Sequence, residues 1–214
     1  MVFIPIIPAN DQYKIYFKEM SIVGVIYLDE YIDRDILNYI TSKGIKTVMC
    51  GGVSFDSRSE MVHINDMGAA YEGTKYLIEQ GHERILLYSD QIQNISTCFQ
   101  RITGCKRAFD EAGIPFDEKE LIGYGSLTFE NGYRLTKQFI ENKTEFTAIF
   151  AFSDETAVGA ISALHDYGVK VPEDVSILGF DDIALAKRVT PRLTTIHQPI
   201  KKIVTKTLDE FLKF

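Results

Sequence analysis

Short, nearly continuous apolar runs alternate along this chain with stretches whose apolar positions recur every three or four residues. Residues 23–28, 46–50, 61–64, 84–88, 121–124, 146–151 and 175–180 carry the β-branched and aromatic content of buried strands. Between them, residues 33–42, 68–80, 96–112, 129–141 and 154–167 have helical spacing, and a last helix is expected over 199–214. In the first of these, Ile36, Leu37 and Ile40 form one apolar stripe. Gly44, Gly81, Gly113 and Gly168 stand where helices should stop, because glycine enters the left-handed conformation without a steric cost.

Regular alternation of strand and helix predicts an α/β protein, with doubly wound parallel sheets and helices on both faces. Strands that are apolar throughout agree, since both faces of such a sheet are covered. In this architecture ligands gather outside the carboxyl ends of the strands. The residues directly after positions 151 and 180 are therefore the first places to look for chemistry.

Composition narrows the function. A chain of 214 residues holds one large domain or two lobes. Its net charge is −7, and its basic pairs (Lys106-Arg107, Lys187-Arg188, Lys201-Lys202) are isolated. Phosphate backbones demand a positive footprint, so direct contact with nucleic acid is not expected. Residues 1–8 are apolar but lack the positive flank and small-residue cleavage site of a secretion signal. No apolar run approaches the ~20 residues of a membrane helix, so the expected location is the cytoplasm. Cys50, Cys98 and Cys105 are odd in number and form no C-x-x-C pair, which reads as reduced thiols.

Three places carry unusual polarity. Ser153 and Asp154 follow the apolar run 146–151; either can cap the next helix, or both can face a cleft. Asp181 and Asp182 follow the run 175–180; they can accept from ligand hydroxyls, or cap a turn. A metal site is not expected there, because no third ligand lies at a recognisable spacing. Arg101 falls near the start of a helix, where the dipole disfavours a cation; the placement suggests a partner such as an anionic or hydroxyl-rich ligand, or it is a surface arginine. No G-x-S-x-G, phosphate-loop, G-x-G-x-x-G or H-E-x-x-H pattern is present. No catalytic residue, metal or cofactor is assigned.

These residues lie within a larger resemblance. Residues 171–182 (VPEDVSILGFDD) resemble the V-P-x-D-V-S-I/V-x-G-F/Y-D-D/N signature of the lactose/galactose-repressor (LacI–GalR) family. Residues 191–199 (PRLTTIHQP) resemble its P-x-L-T-T-I/V-x-Q continuation, with no insertion between the two. Ala148 to Asp154 with Ala157, Gly159 and Ala160, Tyr76-Leu77 with Gly81-His82, and Arg101 with Gly104 supply three more elements in order.

The resemblance implies a type 1 periplasmic-binding-protein-like sensing domain of two lobes that close on a small ligand. Residues 1–64 plus 198–214 would form the N-terminal lobe, and residues 65–197 the C-terminal lobe. The family's ligand contacts fall on Ser153, Asp181, Arg101 and Gln198, with Thr97 and Leu127 completing the set. Such groups suit the hydroxyls of a sugar. Leu127 stands where many members carry a stacking aromatic, with Phe129 the nearest substitute, and Gly51-Gly52 stand where some sugar binders carry Asp. Residues 1–7 align with the second strand of the first lobe. The first lobe therefore reads as incomplete, with the helix-turn-helix and first strand before it, and the strand after the last helix, outside this chain. Implied partners are a small-molecule effector, DNA through that absent helix-turn-helix, and a second copy in a homodimer; no membrane is implied. The alternative is a sugar-binding protein of a transport system. A sugar-acting enzyme would need Asp181 and Asp182 in one site, whereas neighbours on a strand point to opposite faces.

Overall fold

The computed structural model describes residues 12–19, 22–28, 32–52, 58–90 and 97–213. The expected strand at residues 1–7 lies outside them. Two compact units emerge: Met1–Ile64 with Pro199–Phe214, and Asn65–Gln198.

In the first unit, α1 (Gln12–Glu19), β1 (Gly24–Tyr27), α2 (Arg34–Ser42), β2 (Lys46–Cys50) and β3 (Ser59–Val62) follow in turn. The strands form a parallel sheet in the order β1-β2-β3. Asp33 caps α2 by accepting from the Asp35 and Ile36 amides. Ile36, Leu37 and Ile40 pack on one face with Met49 of β2. Val48, one residue earlier in the same strand, faces the opposite way and packs with Val62 and Ile203.

The second unit contains α3 (Asp66–Glu79), β4 (Ile85–Ser89), α4 (Thr97–Ala112), α5 (Glu118–Leu121) and β5 (Ile122–Tyr124). It continues with α6 (Phe129–Glu141), β6 (Ala148–Ala151), α7 (Asp154–Asp166), β7 (Ser176–Asp181), a 3-10 turn (Ala184–Lys187) and β8 (Thr194–His197). Its sheet runs β5-β4-β6-β7-β8, and every pairing is parallel. All residues of β4 and β6 are buried, as double coverage requires. Leu86, Tyr88, Ile149 and Ala151 form one core with Leu135 of α6 and Ala157, Ala160 and Leu164 of α7. On the other face, Gly73 of α3 lies against Phe150, Leu178 and Ile196. Helix α4 meets α3 through Gly104, where an added Cβ would lie 2.1 Å from the Met67 carbonyl oxygen. The chain then passes into α8 (Ile200–Leu212), which returns to the first sheet and brings Ile203 to its core.

The α/β architecture with parallel sheets is as the alternation predicts. Three differences have physical causes. Strand β8 is not among the strands expected from the sequence; its Thr-Thr-Ile-His sequence is half polar, because an edge strand is not fully covered. Strand β3 begins at Ser59 rather than near 61, because its inward residue there is a serine. Helix α1 has too little apolar periodicity to stand out from its neighbours.

Candidate ligand-binding site

The carboxyl ends of β6 and β7 gather the polar side chains of the second unit. Strand β7 ends in two successive left-handed residues, Asp181 at φ 111° and Asp182 at φ 57°. Residues with side chains rarely adopt such angles, and each costs of order 1–3 kcal/mol unless its surroundings enforce it. Asp154, fully buried at the start of α7, supplies that enforcement. Its Oδ2 accepts from the Ile183 amide at 2.8 Å, and its Oδ1 accepts from the Thr195 hydroxyl. The carboxylate fits only because residue 179 is glycine: a Cβ there would lie 2.4 Å from Asp154 Oδ1. Burial pushes the Asp154 carboxyl up, against the hydrogen bonds from Thr195 and Ile183.

The turn sends the two aspartates to different partners. Asp181 Oδ1 accepts from Gln198 Nε2 at 2.7 Å, and the Gln198 amide donates to the Asp181 carbonyl at 3.3 Å. Asp182 instead pairs with Lys187 Nζ at 3.1 Å and His197 Nδ1 at 2.9 Å. These two bonds hold its carboxyl below the ordinary range. The Asp181 carboxyl is pushed up to about 6, first by burial and then by the charges of Asp154 and Asp66; Arg101 and Gln198 pull the other way. The two carboxylates thus bond to different partners.

Arg101 is buried on α4. Its Nε donates to Asp66 at 2.8 Å and its Nη1 to the Phe152 carbonyl at 2.7 Å. The face of the guanidinium lies 3.6 Å from the centroid of the Phe180 ring, a cation–π contact. Arg101 is thus not a surface arginine, and its charge partner in this structure is Asp66, inside the protein, rather than a ligand. Among the described residues, Nη2 has no acceptor and Asp181 Oδ2 has no donor. Both groups are therefore open to a ligand.

The other expected contacts lie nearby. Ser153 caps α7 by accepting from the Thr156 amide at 3.2 Å, while its hydroxyl donates to the Leu127 carbonyl at 3.1 Å and pairs with the Thr156 hydroxyl. The cap alternative thus describes this side chain as it stands. Leu127 is half-buried, and Phe129 is exposed at the start of α6. Thr97 is buried one helical turn before Arg101, on the same face of α4. Asp66, Phe152, Phe180 and Thr195 were missed by sequence reasoning. An acidic residue opening a helix is an ordinary start signal, so nothing marked Asp66 as an arginine partner.

Among the described residues, no cluster of His, Cys, Asp and Glu is arranged to hold a metal ion. No described helix is long and apolar enough to cross a membrane. Cys98 and Cys105 are buried, and burial pushes the Cys105 thiol up to about 12.

Residues 74–212 match the family described as periplasmic binding protein-like domain. The HTH-type transcriptional repressor PurR of Vibrio atlanticus is 39% identical over 156 residues, covering 73% of this chain and 46% of that protein. The HTH-type transcriptional regulator RegA of Clostridium saccharobutylicum is 32% identical over 216 residues, covering 95% and 65%. This chain spans roughly half to two thirds of the length of these relatives. A solved LacI family transcriptional regulator from Enterococcus faecium, with bound ribose, superposes with a TM-score of 0.81 at 27% identity, covering 93% of this chain and 73% of that one.

Proposed function

The chain belongs to the periplasmic binding protein-like domain family, in the form carried by LacI-family transcriptional regulators, and from that premise we propose that it is an effector-sensing domain. Its ligand is a small polar molecule rich in hydroxyls, such as a sugar. Binding shifts the population between open and closed lobes, and with it the DNA affinity of an attached helix-turn-helix. The single observation that carries this reading is the strained end of β7. There, three hydrogen bonds to Asp154 and from Gln198 hold Asp181 in a left-handed conformation while one of its carboxylate oxygens has no donor among the described residues. A protein keeps such strain where it positions a functional group.

Arg101, Asp181, Gln198 and Thr97 contact the ligand in this reading, with Leu127 as an apolar neighbour. Ser153 takes part by fixing the start of α7 beside them. The domain is not an enzyme, acts in the cytoplasm, and pairs with a second copy of itself. The ribose in the Enterococcus faecium regulator supports the choice of a sugar. Calorimetric titration of the folded chain with a panel of sugars, sugar phosphates and nucleobases tests the proposal. Saturable binding of a panel member is expected; a folded sample that binds none of them contradicts it.

A further inference from the structure

Strand β8 lies at the edge of its sheet and pairs with β7 alone. Its last residue, His197, stands in register with Asp181. Beyond it the ladder fails. The Gln198 amide reaches the Asp181 carbonyl only at 3.3 Å, and Pro199 has no N–H to donate. Backbone pairing therefore does little to fix Gln198, whose side chain meets Asp181. A second link closes the same strand ends. His197 Nδ1 donates to Asp182 Oδ2 at 2.9 Å, while Lys187 Nζ holds Asp182 Oδ1 at 3.1 Å. Both oxygens of Asp182 are thus engaged, one by the end of β8 and one by the 3-10 turn. Consecutive residues on each side are joined, 181 to 198 and 182 to 197, so neither link can swing without the other. An isolated exposed ion pair adds little stability. What this one fixes is the direction in which the chain leaves β8, one residue before Gln198.

We propose that His197 is a positioning residue: through Asp182 it fixes the end of β8 and so keeps the Gln198 side chain on Asp181. Its effect on a ligand rests on the sensor reading above; its effect on Asp181 rests on the local geometry alone. His197 and Lys187 are largely exposed (67% and 70%), so replacing His197 leaves the core intact. The test compares the parent chain with His197→Leu, which has no donor, and His197→Asn, which puts an amide N–H where Nδ1 stands. Carboxyl carbon NMR follows the titration of Asp181, which Gln198 holds down against burial. In His197→Leu the midpoint should rise by about half a pH unit or more, because that donation weakens. In His197→Asn it should return to the parent value. Asparagine restores the bond without a charge, so this rescue separates positioning from a change in the local field. Calorimetry of the same three chains with ribose should show about three- to tenfold weaker binding in His197→Leu, the worth of one hydrogen bond, and recovery in His197→Asn. An Asp181 midpoint that is unmoved in His197→Leu, or that rises equally in both variants, overturns the inference. Equal ribose affinity in all three chains also overturns it. A parent chain that binds neither ribose nor any member of the wider panel overturns the sensor reading instead, and the Asp181 titration still decides this inference.

Discussion

Asp181 should cost the unliganded protein stability, and removing its charge should return it. An ordinary aspartate titrates near about 3.9, whereas this one is pushed up to about 6 in the folded chain. Between those values the folded chain holds a proton that the unfolded chain has released. Stability therefore falls as pH rises through that window, and stays lower above it. Two pH units correspond to a ceiling of roughly 3 kcal/mol; because the group keeps some contact with solvent, about 1–2 kcal/mol is the expected share. Asp181→Asn cannot ionise, and its amide oxygen can still accept from Gln198. In urea unfolding followed by circular dichroism, the variant should be about 1–2 kcal/mol more stable than the parent near about pH 7.5. By about pH 5 the advantage should shrink by about 1 kcal/mol, because the parent carboxyl is then largely protonated. The attraction of Arg101 is already included, since it opposes the upward shift without cancelling it. A variant that is less stable than the parent at both pH values, or an advantage that does not depend on pH, would refute the reasoning.

Three further changes probe the frame around that residue. Arg101→Met leaves Asp66 buried without its cation and should cost about 3–5 kcal/mol in urea unfolding, with Asp66→Asn in the same chain recovering part of the loss. Gly104→Ala places a methyl against the Met67 carbonyl, so α3 and α4 must separate; a loss of about 1–3 kcal/mol is expected. Ser153→Ala removes the cap of α7 and should lower stability by about 1 kcal/mol in the same assay, while Ser153→Thr, which keeps the hydroxyl, should retain most of it.

The architecture was legible because every strand of the second sheet but one is buried on both faces. Such strands appear in sequence as short apolar blocks, and glycines punctuate the helices between them. Helix α6 is placed to the residue, since Thr128 caps it and its stripe is strongly one-sided. Strand β8 escaped because half-covered edge strands keep polar residues. The site was legible only in part. Asp181, Arg101 and Gln198 could be marked as members of motifs, and the structure brings them together in the second unit. Their relations to Asp66 and Asp154 depend on contacts between residues 35 and 29 positions apart, which no local spacing reveals. The left-handed geometry of Asp181 is likewise invisible in composition, because an aspartate there reads as an ordinary turn residue.

The central claim is that Asp181, held at the end of β7, binds the ligand of a sensing domain. Titration of the parent chain and Asp181→Ala side by side, with whichever panel compound binds, tests it most directly. The account predicts saturable heat with the parent and none with the variant, while circular dichroism shows both folded. A variant that binds with undiminished affinity would contradict it.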